Sequence, residues 1–288
     1  YPAVGDYVLA EWQEAGSPAI IRSLFPRKSC FLRKAAGSAK QEQVVAANID
    51  TVFLCMSLNQ NFNLRRLERY LSIAYDSGAE PVVVLTKADL CQDPEDKLAQ
   101  VRTAAPGAEI LTVSSLTGDT DAVLPYILPG RTVAFLGSSG VGKSTLINKL
   151  MGTSALATGA VGTADKGRHT TTHRQLLTLP NGAFLIDTPG MRELGMWDSD
   201  GGIDTAFQDL LELTRACRFS NCTHTAEPGC AVLKALADGT LDAGRWESFR
   251  KLKLENASAA ERSRYLDAKR EKFKSISKTN KTNRKSGS

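Results

Sequence analysis

Three observations predict a multi-domain chain built around a central α/β domain with a doubly wound, mostly parallel sheet. Between residues 50 and 187, continuous apolar runs alternate with helical stretches, the pattern of strands covered on both faces. Short strand-like runs broken by turn residues precede this region, and helical sequence wrapped around a Cys/His cluster follows it. A small β-domain and a mostly α, metal-binding domain therefore flank the core. A chain of 288 residues has room for one large domain and one or two small ones.

The first part, residues 1–48, carries the runs Tyr7–Ala10, Ala19–Ile21, Cys30–Leu32 and Gln43–Val45, separated by Gly5, Gly16, Pro18 and Pro26. Between Arg22 and Lys40 six basic residues and no acidic ones are interleaved with Phe25 and Phe31. Cations that track phosphates and rings that stack on bases suit single-stranded nucleic acid on a small barrel. Surface lysines and core phenylalanines would give the same composition.

The core, residues 49–202, is expected to have strands at Thr51–Met56, Pro81–Leu85, Glu109–Val113, Thr132–Leu136 and Ala183–Ile186. Helices are expected near 63–76, 93–104 and 143–151. The third part, 203–274, reads as helical, with exposed helices over Asp242–Asn256 and Ala259–Phe273. Residues 275–288, rich in Lys, Ser, Thr and Asn, are predicted to form a disordered basic tail. From Lys269 to Ser288 eight basic residues stand against Glu271 alone, in a chain of formal charge +5. A basic tail on a near-neutral body suggests a polyanionic partner, although a merely solvated tail has the same composition.

Nucleotide chemistry is written in short motifs. Gly137, Ser138, Ser139, Gly140, Val141, Gly142, Lys143 and Ser144 follow one strand, and Lys143 opens a helix. Such a loop curls backbone N–H groups around phosphates at a helix start. Lys143 is placed for the β- and γ-phosphates and the Ser144 hydroxyl for Mg²⁺, with Thr145 beside it in the nucleotide-binding set. Asp187 ends another strand, placed to hold Mg²⁺ directly or through water, and Gly190 can approach the γ-phosphate closely. Thr86, Lys87, Ala88 and Asp89 follow a third strand. The Asp89 carboxylate can accept both guanine N1–H and the N2 amino group, while the Lys87 stem lies along the base. Asp89 could equally cap the next helix. Thr86 stands where most GTPases have Asn, which leaves only a hydroxyl to brace the loop. Ser114 and Ser115 fit the loop whose backbone N–H meets guanine O6.

The guanine motif ordinarily follows the other two; here it lies about fifty residues ahead of the phosphate loop. A doubly wound sheet tolerates this, because the site depends on where strands end in space. The order is that of a circular permutation. Gly152 to Gly167 and the string through His173 read as a mobile switch, in which Thr171 is expected to complete the Mg²⁺ shell. Met191 follows Asp187-Thr-Pro-Gly190 and cannot orient water, so the catalytic group must lie elsewhere. His169 is the local candidate, unless it only packs within the switch.

Cys217, Cys222, His224 and Cys230 offer three thiolates and an imidazole within fourteen residues. Four protein ligands leave no open position, so a structural Zn²⁺ is expected; the alternative is three buried cysteines acting as small hydrophobes. Six cysteines, three of them scattered singly, point to a reducing compartment. Neither a signal peptide nor a membrane-length apolar run is visible. The missing initiator Met reads as a fragment or trimmed product.

These motifs, the string Gly167-Arg-His-Thr-Thr-Thr172 and the order of all of them resemble the circularly permuted GTPases of the RsgA/YjeQ family. The resemblance covers almost the whole chain. It implies a truncated N-terminal OB-type barrel that already contains residue 1, a permuted P-loop GTPase domain and a C-terminal zinc domain. It also implies a monomer that takes GTP and GDP, binds the small ribosomal subunit and its rRNA late in assembly, and hydrolyses GTP faster there. His169 corresponds to a switch histidine that the family uses in hydrolysis. The expected location is the cytoplasm of a bacterium, or an organellar stroma or matrix in a eukaryote, with no membrane partner. Two rival readings are a permuted GTPase acting on the large subunit or another structured RNA, and a zinc RNA-binding module with a vestigial nucleotide site.

Overall fold

A computed structural model describes residues 1–12, 18–34, 42–114, 120–152, 175–187 and 200–257. The core is a six-stranded sheet formed by β5 (Thr51–Ser57), β6 (Glu80–Thr86), β7 (Glu109–Thr112), β8 (Thr132–Leu136), β9 (Gln175–Thr178) and β10 (Phe184–Asp187). Its order is β7-β6-β5-β8-β10-β9. All neighbours are parallel except β9, which runs antiparallel to β10 along one edge. Side chains alternate between two apolar layers: Val52, Leu54 and Met56 of β5 face one, Phe53 and Cys55 the other. Burial on both faces explains why these strands read as unbroken apolar runs.

Helices α1 (Leu64–Ser77) and α2 (Pro94–Ala104) cover the first face through Leu67, Leu71 and Val101. Helix α3 (Lys143–Met151) and a 3-10 segment, Asp121–Tyr126, cover the second through Leu146, Ile147 and Val123. Helix starts follow local chemistry: Asn63 accepts the Arg66 N–H at 2.9 Å, and Asp93 caps α2 ahead of Pro94. Gly78 ends α1 in a left-handed turn with φ of 82°.

Before the core, β1 (Val8–Glu11) pairs with β2 (Ile20–Leu24), and β3 (Cys30–Lys34) with β4 (Glu42–Ala47), both antiparallel. They form two separate two-stranded sheets, and no closed barrel is found among the described residues. Phe31, Val45 and Ala46 join the core of the first face. Phe31 is therefore a packing residue, unavailable to stack on a base, whereas Phe25 is exposed. Four of the six basic residues expected to face a nucleic acid are engaged within the protein. Arg22 pairs with Glu11, Arg27 with Asp6 and Lys28 with Asp50, while Arg33 donates to Gln43.

After the core come α4 (Asp200–Ala206), α5 (Gln208–Arg215), α6 (Ala231–Ala237) and a helix over 243–257, α7. Helix α4 lies so close to α1 that a Cβ on Gly202 would sit 2.1 Å from the Ser72 carbonyl oxygen. It spans the boundary expected at 202/203, and Ile203, Phe207, Trp246 and Phe249 extend the apolar layer that contains α1. At its centre the buried Arg245 donates to Glu68 (3.2 Å), Asp209 (2.7 and 3.1 Å) and the carbonyls of Ala104 and Ala206. Its guanidinium also lies 4.8 Å from the Phe207 ring centroid. The expected helix over 259–273 and the tail lie outside the described residues.

Candidate functional site

Strand order reverses between the adjacent, parallel β5 and β8, and β6 and β10 run parallel to them. The loops leaving the carboxyl ends of β6, β8 and β10 therefore meet at one edge of the sheet, where such folds bind ligands. Thr86, Gly137 and Asp187 sit at those three ends. Chain order does not enter this geometry.

The phosphate loop is already wrapped. Lys143 Nζ donates to the carbonyls of Gly137 and Ser138, both at 2.7 Å, which draws the first turn of α3 across the loop. Gly140 and Gly142 have φ of 76° and 99°, the left-handed region open to glycine. A Cβ on Gly137 would lie 2.5 Å from the Cys55 carbonyl oxygen, so the loop can leave β8 against β5 only without a side chain there. Val141 is buried beneath it. Ser144 and Thr145 occupy the first turn of α3.

The guanine-type loop leans on the phosphate loop. The fully buried Thr86 donates its hydroxyl to Val141 O at 2.5 Å, and Lys87, at φ of 58°, donates to Gly140 O at 2.7 Å. The Thr86 hydroxyl thus supplies a brace where the amide is missing. Asp89 lies in a 3-10 turn, Ala88–Leu90, and accepts the Ser114 hydroxyl at 2.5 Å. It is not the cap of α2, a role that Asp93 fills. A carboxylate pinned through Oδ1 keeps Oδ2 and further lone pairs for two base N–H donors. Ser115, His169, Thr171, Gly190 and Met191 lie outside the described residues.

The second candidate centre stands in the loop between α5 and α6. One ligand atom from each of Cys217, Cys222, His224 and Cys230 lies within 4.8 Å of the others. Cys217 and Cys230 Sγ are 3.8 Å apart, and His224 Nδ1 lies 3.5 and 3.4 Å from them. The edge of a tetrahedron with zinc–sulfur bonds of about 2.3 Å is about 3.8 Å, so the donors fit that ion. Burial pushes the Cys222 thiol up to about 11, helped by its sulfur neighbours. Burial also resists ionisation of Cys217, but the N–H groups of Ala231 and Val232, followed by hydrogen bonds from Cys230 and Cys222, outweigh it and hold that thiol below the usual range. Clustered thiols oppose one another's ionisation; a dication would remove the conflict.

Sequence reading missed the residue that shapes this loop. The Glu227 carboxylate accepts the N–H groups of Thr223 (2.7 Å), Thr225 (3.0 Å) and Ala226 (3.1 Å), as well as the Thr223 hydroxyl. These bonds, with the Thr223 hydroxyl first, hold Glu227 well below the usual carboxylate range. They bracket His224, whose φ of 59° turns its ring toward the sulfurs and edge-on to Trp246 at 5.4 Å. No motif or periodicity marks Glu227 in advance.

A wrapped phosphate loop, a Thr-Lys-Ala-Asp loop braced on it and their inverted chain order define a circularly permuted P-loop GTPase. The sequence model of the RsgA GTPase family matches residues 24–197. The small ribosomal subunit biogenesis GTPase RsgA of Opitutus terrae is 50% identical over 272 residues, 91% of this chain and 74% of that protein. Its counterpart in Methanosarcina acetivorans is 48% identical over 255 residues, covering 87% and 69%. Among solved structures, YjeQ from Thermotoga maritima superposes with a TM-score of 0.63 at 28% identity, over 89% of this chain and 85% of that one. YloQ, described as a circularly permuted GTPase, gives 0.61 at 25%, covering 90% and 82%. The chain belongs to the RsgA GTPase family. No helix among the described residues is long and apolar enough to cross a membrane.

Proposed function

We propose that this GTPase binds the small ribosomal subunit, assists its late maturation and couples GTP hydrolysis to release. The observation that carries the reading is the preassembled site: Lys143 lies across the phosphate loop while Thr86 and Lys87 tie the guanine loop to it. A vestigial site would have no reason to keep those contacts, and the names of the relatives supply the partner.

In this reading Asp89 selects guanine through two N–H acceptors, and the loop N–H groups and Lys143 bind the phosphates. Ser144, Asp187 and Thr171 would hold Mg²⁺, which when bound offsets charge on the β- and γ-oxygens. Gly190 would approach the γ-phosphate, and His169 would position the attacking water when the subunit is bound. Cys217, Cys222, His224 and Cys230 hold one structural zinc. Residues 1–48 are assigned to an OB-type RNA-binding part, 49–202 to the GTPase domain, 203–274 to the zinc domain and 275–288 to a basic tail. The protein acts as a monomer in the cytoplasm.

The test is GTP turnover of wild type and His169→Ala with and without purified small subunits, beside co-sedimentation with each ribosomal subunit. Acceleration by small subunits of about 10³-fold or more, lost in His169→Ala with GTP binding retained, is the expected result. Co-sedimentation with large subunits alone would assign the partner to the rival reading. Wild-type turnover by His169→Ala on the subunit would move the catalytic group elsewhere.

A further inference from the structure

Helix α1 carries Arg65, Arg66 and Arg69, and the three are used differently. Arg65 pairs with Glu68 and Asp242, both at 2.6 Å, and Arg69 makes a bidentate pair with Glu255 at 2.6 and 3.0 Å. Arg66 instead points to the nucleotide side, where its Nη1 donates to the Ser138 hydroxyl at 2.7 Å. Neighbouring residues on a helix do not face one another, which lets Arg65 and Arg66 serve opposite flanks.

Ser138 is the second residue of the phosphate loop, and the next carbonyl, that of Ser139, accepts the Asn61 side-chain amide at 3.4 Å. The turn that carries Asn61 is itself braced, since Asn59 Oδ1 accepts the Ser57 hydroxyl (2.8 Å) and the Asn61 N–H (3.1 Å). On the inner side of the loop, Lys143 holds the Ser138 carbonyl. Ser138 is thus gripped from both sides, by a lysine within the loop and by an arginine outside it. The opposite flank of α1 is clamped by Asp242, Arg245 and Glu255, so Arg66 projects from a fixed platform. A site residue held on a rigid element keeps its geometry better than one on a free loop.

We infer that Arg66 is a positioning residue for the phosphate loop, fixing Ser138 so that the loop's first half is preformed before nucleotide arrives. It does not touch nucleotide in this account; it acts through Ser138.

This inference rests on the reading of Gly137–Ser144 as the nucleotide site, so Lys143→Ala serves as its control. Affinity for a fluorescent GDP and a non-hydrolysable GTP analogue is measured for Arg66→Ala, Arg66→Lys, Ser138→Ala and the Arg66→Ala/Ser138→Ala double variant. Amide exchange over 137–142 and over α1 is followed in parallel. Each single alanine variant should bind about five- to tenfold more weakly, as expected for one charge-assisted hydrogen bond at a half-exposed site. The double variant should be no weaker than either single one, and Arg66→Lys should regain part of the loss. Exchange over 137–142 should quicken in Arg66→Ala while α1 keeps its protection. Additive losses, or wild-type affinity in Arg66→Ala, would overturn the inference while Lys143→Ala still fails to bind. Wild-type binding by Lys143→Ala would remove the site reading itself.

Discussion

Replacing Arg245 by Met should loosen the C-terminal helices by about 3–5 kcal/mol, the cost of breaking a buried ion pair from one side. The geometry says where that cost arises. Glu68 is fully buried, its Oε2 already has no hydrogen-bond partner, and Arg245 is only 3% exposed. Without the guanidinium, Glu68 keeps only Arg65 and the Ser248 hydroxyl, and the carbonyls of Ala104 and Ala206 lose this donor. Asp209 is 44% exposed and contributes little, since water replaces its partner. Burial pushes the Glu68 carboxyl up, against the pull of the nearby Ser248 hydroxyl, Arg65 and Arg245. A carboxyl raised in the folded state contributes its stability below the unfolded pKa and loses it as pH rises through the folded one. Removing Arg245 raises Glu68 further, so the variant's deficit should be smaller near about pH 5 than near about pH 8. The assay is urea unfolding followed by Trp246, which packs on His224 and Phe249, with Trp12 and Trp197 replaced by Phe. Glu68→Leu with Arg245→Met should recover most of the loss, since an apolar pair has no charge to strand. A single variant within about 1 kcal/mol of wild type, or a deficit that grows toward acid pH, would refute the reasoning.

Asp89→Asn should weaken GTP binding by at least about tenfold, with a relative gain for xanthosine nucleotides, because a donor replaces the acceptor of guanine N1–H; competitive titration reads both. Metal analysis should find about one zinc per chain, and chelation should change Trp246 emission and loosen 203–257 before the sheet, with nucleotide binding largely retained. Glu227→Gln should lower zinc affinity by about tenfold, measured against a chromophoric chelator, because the loop that turns His224 inward loses charged acceptors. Deleting residues 269–288 should flatten the salt dependence of subunit binding, as each phosphate contact removed takes away a counterion-release term.

Much of the fold was legible because its signals are local. Buried strands announce themselves as apolar runs, and the helices expected near 63–76 and 93–104 fall at Leu64–Ser77 and Pro94–Ala104. The edge strand β9 was not legible: Gln175–Thr178 is short and mostly exposed, and only its pairing with β10 makes it a strand. Phe31 and Phe25 show the same limit from the other side. Both are aromatic within one basic stretch, yet one fills the core and the other faces solvent, a choice that depends on how β3 and β4 pack against the sheet.

From the sequence alone come the phosphate loop, the Thr-Lys-Ala-Asp motif, the thiol-imidazole cluster and their permuted order. Each is a backbone or ligand requirement satisfied within a few consecutive residues. Only the tertiary structure decided the contacts between segments far apart in the chain. Thr86 braces Val141, Arg66 grips Ser138, and Arg245 closes on Glu68 across 177 residues. A hydroxyl or guanidinium on a helix is locally the same whether it meets solvent or a partner. What it meets is fixed by the sheet order that brings distant loops to one edge.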